Sequence, residues 1–459
     1  MTFGKRMIRL RRRLGHVFAF AALVILLLTA DAAAQTGEAP AEMPATPELR
    51  AAIVDSVTAA LNEEYVFEDV ALRMEGRLRS KLGDGAYDEL ETLSAFADAL
   101  TEDLQDVSGD RHLRARYMSD EDVARFLEQD EDPELERERR MEELRRENFN
   151  FRKAEVLEGN VGYLRLDQFP DASYSGPTAT AAMNFLAHTD ALIIDLRYNG
   201  GGSPSLIQYL MGYLLEEPTH LNSFHTRQGD SVEQFWSAPY VPGPSMDDVD
   251  LYVLTSSYTF SGAEEFTYNV KNLERGTIVG ETTGGGAHPI GYELFPSLNF
   301  GITMPYARAV NPISGTNWEG TGVAPDVEVP ADQALDAAHL LALEKLADEA
   351  DDEERLASMT WAIDGIKARL EPHDVGADVL ATYAGEYGPR KLWVEDGKLL
   401  YQREEGPVRP ALPMTETLFW FDDIDYFRLE VVLDDAGRPV KLVGHYSSGR
   451  TDENPRTGG

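Results

Sequence analysis

A mixed α/β fold, preceded by a helical segment and followed by a small all-β segment, is what this sequence of 459 residues predicts. Three observations carry the prediction. Apolar residues recur at spacings of three and four through residues 47–118, the mark of amphipathic helices. Between residues 151 and 370, short apolar runs alternate with helical patterns, as in strand–helix units around a buried sheet. From residue 374 onward the pattern changes to short alternating strands separated by turn residues such as Asp396-Gly397.

Residues 1–34 read as an export leader. Lys5, Arg6, Arg9 and Arg11 to Arg13 make a basic start, and Val17 to Ala30 is an apolar core short for a bilayer span. Ala32-Ala33-Ala34 is a small-residue cleavage site. The expected location is therefore periplasmic or extracellular; whether the leader is cut or stays as an anchor is open. Residues 35–46, made mostly of Ala, Pro, Glu and Thr, read as a disordered tether. There is no cysteine, which removes a thiol nucleophile, a disulfide framework and a lipid-attachment cysteine.

Thr46-Pro47 starts the first helix as N-cap and first position. Ile53, Val54, Val57 and Leu61 form its apolar face, and two further helical patterns complete an N-terminal helical domain over 47–118. It ends in the polar turn Ser108-Gly109-Asp110-Arg111-His112 before a strand. Residues 119–150 are highly charged with few apolar positions, a solvated helical connector. The α/β core with trailing helices is expected over 151–370, and the small β domain over 374–459.

Within the core, Ala191 to Leu196 is a fully buried strand that runs into Asn199-Gly200-Gly201-Gly202. Those glycines permit a ligand to approach the backbone or simply make a tight turn; the triplet fits neither phosphate-loop pattern. Leu251 to Leu254 is a second buried strand. After it Ala263, Phe266, Val270 and Leu273 give one face of a helix, with Ser261 at the junction. A serine there meets the positive end of the helix dipole and free backbone N–H groups, so the Gly262 amide could stabilise the product of its attack. The same serine with Glu264 is also a capping box, which by itself needs no chemistry.

Composition limits the partners. The chain has 42 Lys and Arg against 80 Asp and Glu, a net charge of −38. Loss of the leader, with six basic residues and one acidic, takes the net charge to −43. Nucleic acid and anionic membrane surfaces are poor partners for such a protein. Neither a His-Glu-x-x-His pattern nor other metal-ligand spacing occurs, so no metal and no cofactor is expected.

Four segments in order resemble the tail-specific (C-terminal processing) serine protease family, in the branch of the tricorn core protease and interphotoreceptor retinoid-binding protein. They are Ile193-Ile-Asp-Leu-Arg-Tyr-Asn-Gly-Gly-Gly202, Thr259-Phe-Ser-Gly-Ala-Glu264, Val279-Gly-Glu-Thr-Thr-Gly-Gly-Gly286 and Glu319-Gly-Thr-Gly-Val-Ala-Pro-Asp326. The resemblance implies a ClpP/crotonase-like core and a peptidase acting on peptides or unfolded protein, with Ser261 as nucleophile. Where one branch of the family keeps a lysine base, this chain has Gly286. The tricorn-like branch implies instead His112 as base, Glu319 as the acid behind it, and Gly262 with Gly201 as the oxyanion hole. Arg111 stands where that branch has a relay serine. His288 competes with His112 for the role of base; its other reading is a donor that shapes its loop. Lys271 reads as a surface residue. With an ordinary histidine pKa, activity would fall on the acid side around pH 6–7. A non-catalytic protein binding an apolar ligand on the same fold is the second functional reading. The sequence does not fix an oligomeric state.

Overall fold

A computed structural model describes residues 43–457 apart from Asp132. The leader and most of the tether lie outside the described residues. No helix among the described residues is long and apolar enough to cross a membrane. The chain forms two compact units. The first holds residues 43–155, 163–188 and 192–331 of the described chain; the second holds 156–162, 189–191 and 332 onward.

The first unit begins with three helices, α1 (Pro47–Glu64), α2 (Glu68–Gly83) and α3 (Leu93–Ser108). Thr46 caps α1, its side chain accepting from Leu49 N, and Pro47 fills the first turn. Helix α3 ends at Gly109 in the left-handed conformation, which turns the chain toward β1 (Arg114–Tyr117). The charged connector forms α4 (Asp120–Glu131) and α5 (Pro133–Arg146).

A six-stranded sheet is the centre of this unit. In chain order its first members are β2 (Phe151–Leu157) and β3 (Val161–Leu166), followed after α6 (Ala172–Leu186) by β4 (Ala191–Asp195). Asp171 caps helix α6, its side chain accepting from Ser173 N. Helix α7 (Pro204–Leu214) and strands β5 (His220–Thr226) and β6 (Ser231–Trp236) precede β7 (Asp250–Thr255), α8 (Gly262–Asn272) and β8 (Gly276–Gly280). The order across the sheet is β12-β8-β7-β4-β3-β2, with β12 at Val327–Glu328 and both β7–β8 and β8–β12 parallel. Leu192, Ile194, Val253 and Ile278 of the strands pack with Met183, Leu210, Phe266 and Val270 of the helices in one fully buried core. At about 25 cal/mol per Å² of apolar surface removed from water, such a core dominates the stability of the unit.

A smaller sheet assembles the site. Strands β9 (Ile290–Phe295) and β10 (Phe300–Pro305) form a hairpin, and β10 also pairs antiparallel with β1. Arg114 at the start of β1 faces Thr303, and Thr303 faces Tyr292 near the start of β9. Strands β1 and β9 therefore run the same way and begin at the same end. The loop entering β1, which carries Asp110 and His112, is thereby placed with the loop entering β9, which carries Gly286 and His288. The sheet is fixed because Phe300, Ile302 and Met304 share a buried core with Val57, Leu61, Phe96 and Leu100 of the helices. Strand β11 (Ala307–Val310) closes a third sheet in the order β11-β5-β6.

In the second unit α9 (Ala334–Asp348) and α10 (Glu353–Leu370) belong with the strands that follow. After α11 (Ala377–Tyr383) come a four-stranded and a five-stranded antiparallel sheet, over residues 385–410 and 412–455. Asp396 and Gly397 both take positive φ (50° and 76°), the geometry of a two-residue hairpin turn between Glu395 and Lys398. Tyr383, Tyr387, Phe419, Phe421 and Leu442 fill its core.

Candidate active site

Strand β7 ends at Thr255 and the chain turns back through Ser256-Ser257-Tyr258-Thr259 into α8. Thr259 Oγ1 donates to Leu196 O (2.8 Å), and Phe260 N donates to Asn199 O (3.1 Å). These bonds tie the turn to the loop after β4, which carries the three glycines. Ser261 sits at the N-terminus of α8 with φ 53° and ψ −119°. A non-glycine residue held there stores strain of order 1–3 kcal/mol, which the surroundings must over-determine.

Glu264 supplies much of that constraint. Its Oε2 accepts from Ser261 N (2.9 Å) and Gly286 N (2.8 Å), and its Oε1 from Gly285 N (2.6 Å) and the Thr283 hydroxyl (2.5 Å). Burial pushes this carboxyl up despite those four donors. The capping box of the sequence is thus half of a larger device, which also fastens the 283–286 loop to the serine turn.

The glycine turn lies against Ser261. A Cβ on Gly201 would come within 2.8 Å of both Gly262 N and Ser261 Cβ, so only glycine fits. The Gly201 N–H is already committed to Asn199 Oδ1 (2.8 Å). Of the two expected oxyanion donors this leaves Gly262. The next amide along, that of Gly202, lies close to the Gly262 α-carbon, since a Cβ there would sit 3.0 Å from it.

His112 is buried, and its ring packs on Phe260, the residue before Ser261, with centroids 4.7 Å apart. The Thr303 hydroxyl donates to His112 O, and Arg114 N donates to Thr303 Oγ1 (3.0 Å), which locks the loop to β10. Burial first, then the nearby His288 and Arg114, hold the His112 pKa down to about 4, against the opposing charge of Asp110. The ring is therefore far less basic in the folded protein than the ordinary histidine that the expected pH 6–7 assumed. Gly286, at the position of the absent lysine, has its α-carbon against this ring. A Cβ there would run into Phe260 and come within 2.7 Å of His112 Cε1. The space a lysine stem would need is filled by the histidine and its aromatic neighbour.

Glu319 is not brought behind His112. Its Oε2 accepts from Ala287 N (2.5 Å) and His288 N (3.2 Å) and lies 3.5 Å from His288 Nδ1. The carboxylate beside His112 Nδ1 is that of Asp110, at 4.0 Å. Asp110 Oδ2 accepts from His288 Nδ1 at 2.7 Å. Burial works against a charged His288, but the hydrogen bond and charge of Asp110, with the charge of Glu319, outweigh it and raise its pKa. Glu319 is pushed up to about 7, by burial first and by Asp110 second, against His288 and its two backbone donors. Asp110, His288 and Glu319 place ligand atoms within 4.8 Å of one another; the short Asp110–His288 contact makes the group a hydrogen-bonded cluster. A cleft of about 290 Å³ borders it, lined by Phe67, Ser108, His288, Arg308, Asn317 and Glu319 among others. Lys271 is remote from this chemistry, with its ammonium on Ala324 O (2.6 Å) and Asp326 Oδ1 (2.9 Å).

Sequence reasoning does not single out Asp110. The available signal is an Asp two residues before a histidine, the spacing at which its carboxylate reaches back to a backbone N–H. It does so here, accepting from His112 N at 3.0 Å.

Residues 160–329 match peptidase family S41, and residues 38–157 match the N-terminal domain of peptidase S41 in eukaryotic IRBP. With these two adjacent matches, the chain belongs to peptidase family S41. It is 29% identical over 209 residues to a tricorn-like protease C-terminal subunit of Sulfurisphaera tokodaii, covering 42% of this chain and 22% of that one. It is 31% identical over 210 residues to tricorn protease homolog 2 of Streptomyces coelicolor, covering 42% of this chain and 16% of that one. The chain thus matches only about a fifth of the length of these relatives. Among solved structures, the photosystem II D1 C-terminal processing protease is similar at 26% identity over 38% of this chain and 43% of that one, with a TM-score of 0.32.

Proposed function

We propose that this protein is an exported serine peptidase that hydrolyses peptide bonds of peptides or unfolded proteins, with Ser261 as nucleophile and His112 as general base. The observation that carries the reading is the strained Ser261 turn at the start of α8, with the His112 ring packed on the adjacent Phe260. A serine on a sharp turn before a helix presents its hydroxyl together with the next backbone amide. His112 takes the proton of Ser261 Oγ as it attacks the carbonyl carbon, then gives it to the leaving amine. The Gly262 and Gly202 N–H groups would hold the oxyanion. Water, deprotonated by His112, then cleaves the acyl-enzyme and restores Ser261. Export rests on the leader, and a peptide or protein substrate rests on the family. The polar cleft, with Arg308, Asn317 and Glu319 in its wall, does not favour an apolar ligand.

The test is hydrolysis of a mixed peptide library followed by mass spectrometry. Wild type should cut, and Ser261→Ala and His112→Ala should each lose at least about 10³-fold in kcat. A wild type that cuts nothing, or variants that cut as well as it does, would contradict the reading.

A further inference from the structure

We propose that Asp110 is the positioning acid of His112, and that His288 and Glu319 form the support that aims it. This rests on the reading of Ser261 and His112 as nucleophile and base.

The first observation is an orphan. His112 Nδ1 is buried and has no hydrogen-bond partner. A base that becomes an imidazolium needs an acceptor on that nitrogen, and a buried donor without one is costly. Asp110 Oδ1 lies 4.0 Å away. Catalytic hydrogen bonds are often long before substrate arrives and tighten in the complex. The second observation is how firmly Asp110 is placed. Gly109 in the left-handed conformation delivers it from the end of α3. Its N–H donates to Ser108 Oγ (3.0 Å), and its Oδ1 accepts the backbone N–H of His112 itself (3.0 Å). Its Oδ2 faces the His288 Nδ1–H at 2.7 Å and the Tyr65 hydroxyl at 3.4 Å.

The third observation gives Glu319 its part. Its Oε2 accepts both the Ala287 and His288 backbone N–H groups, so it fixes the residue whose ring fixes Asp110. Glu319 acts on the base at two removes. In the transition state the proton leaves Ser261 Oγ for His112 Nε2, and the Nδ1–H of the resulting imidazolium is held by Asp110. No proton needs to move along the rest of the chain.

The groups facing His112 give the proposal a signature. The Asp110 charge favours the imidazolium, whereas burial, His288 and Arg114 oppose it. Around His288, Asp110 and Glu319 favour the charged form and Arg308 opposes it. Removing Asp110's charge should therefore move the acid limb of kcat/KM to lower pH, and removing His288's charge should move it higher. An Asp110 that only shaped its turn through the His112 N–H would not combine a downward shift with a loss confined to kcat.

The experiment measures kcat, KM and the pH profile for wild type, Asp110→Asn, His288→Gln and Glu319→Gln on one peptide, with Ser261→Ala and His112→Ala as references. Asp110→Asn should lower kcat by about 10³–10⁴-fold with KM within about threefold. Glu319→Gln should lower it far less, and the acid limb should shift down in Asp110→Asn and up in His288→Gln. If Asp110→Asn does not fold, Asp110→Ser and Asp110→Glu take its place: the serine should show the same loss of kcat and downward shift, and the glutamate a partial rescue of both, and a serine variant with kcat within about threefold of wild type would overturn the proposal. Asp110→Asn retaining kcat within about threefold, Glu319→Gln costing more than it, or an acid limb that stays put would overturn the proposal. Undiminished activity in Ser261→Ala or His112→Ala would instead show that the underlying reading has failed, and the proposal with it.

Discussion

The serine side and the histidine side of the site are built in opposite ways. Ser261 and Gly201 lie on turns that follow adjacent sheet strands, β7 and β4, with Gly262 and Glu264 in the first turn of α8, and Gly201, Ser261 and Glu264 are held by hydrogen bonds. The Glu264 carboxylate has four donors. Asp110, His112, His288 and Glu319 come from three distant segments, gathered by the small β1-β10-β9 sheet and the loop before β12. There, His112 Nδ1 and Glu319 Oε1 are buried without partners. On the proposed reading, the densely bonded half would fix where attack occurs, and the half in which His112 Nδ1 lacks a partner would handle the proton.

The sharpest way to break this division is at its seam, where Gly286 touches both halves. Gly286→Ala should push Phe260 and His112 apart, lowering kcat by about 10²-fold, the cost of a misplaced catalytic group. Stability should fall by about 1–3 kcal/mol from overpacking. Steady-state kinetics and a thermal melt read both, and unchanged kcat would show that the ring's place does not matter.

Glu264→Gln tests the densely bonded half. Turning the carboxylate into an amide puts an N–H group against donors it formerly accepted, so unfolding by denaturant should show a loss of about 2–3 kcal/mol. A variant as stable as wild type would mean the loop is held by other bonds.

Glu265 lies one helical turn beyond Ser261 and is fully inside, with its Oε1 unpartnered. Burial pushes it up to about 7. The folded state therefore binds its proton more tightly than the unfolded chain does. The resulting stability is present below about pH 4.5, falls as pH rises through about 7, and is then fully lost. Glu265→Gln should lack that pH dependence and, at pH 8, be more stable than wild type by up to about 3 kcal/mol. Parallel stability–pH curves for the two proteins would refute it. The smallest effect belongs to Lys271→Ala, which removes a partly exposed ion pair with Asp326 and should change stability by less than about 0.5 kcal/mol and activity not at all.

The same division explains what the sequence discloses. The buried strand through Ile193 and Ile194, the helix beginning after Ser261 and the Asp396-Gly397 hairpin are local patterns, and periodicity and turn chemistry expose them. The partner of Glu319 is not local. The loop of Glu319 is joined to that of His288 by Trp318 Nε1 on Gly286 O and Gly320 N on Gly285 O, and Asp110 is brought to His288 by β1 pairing with β10; no spacing announces either. The resemblance points to the residues around His112, but the exchange of Glu319 for Asp110 beside its ring follows from side-chain placement. The His112 pKa is out of reach for the same reason, since burial by Phe260 and the 284–288 loop sets it. The acid limb of kcat/KM in wild type should accordingly lie near pH 4, below which the base is protonated.

The central claim is that Ser261 is a nucleophile activated by His112. Reaction with a fluorophosphonate, followed by digestion and mass spectrometry, tests it most directly. The account predicts one adduct, on Ser261, absent in Ser261→Ala and formed at least about 10³-fold more slowly in His112→Ala. An adduct on another residue, or labelling of His112→Ala at the wild-type rate, would contradict it.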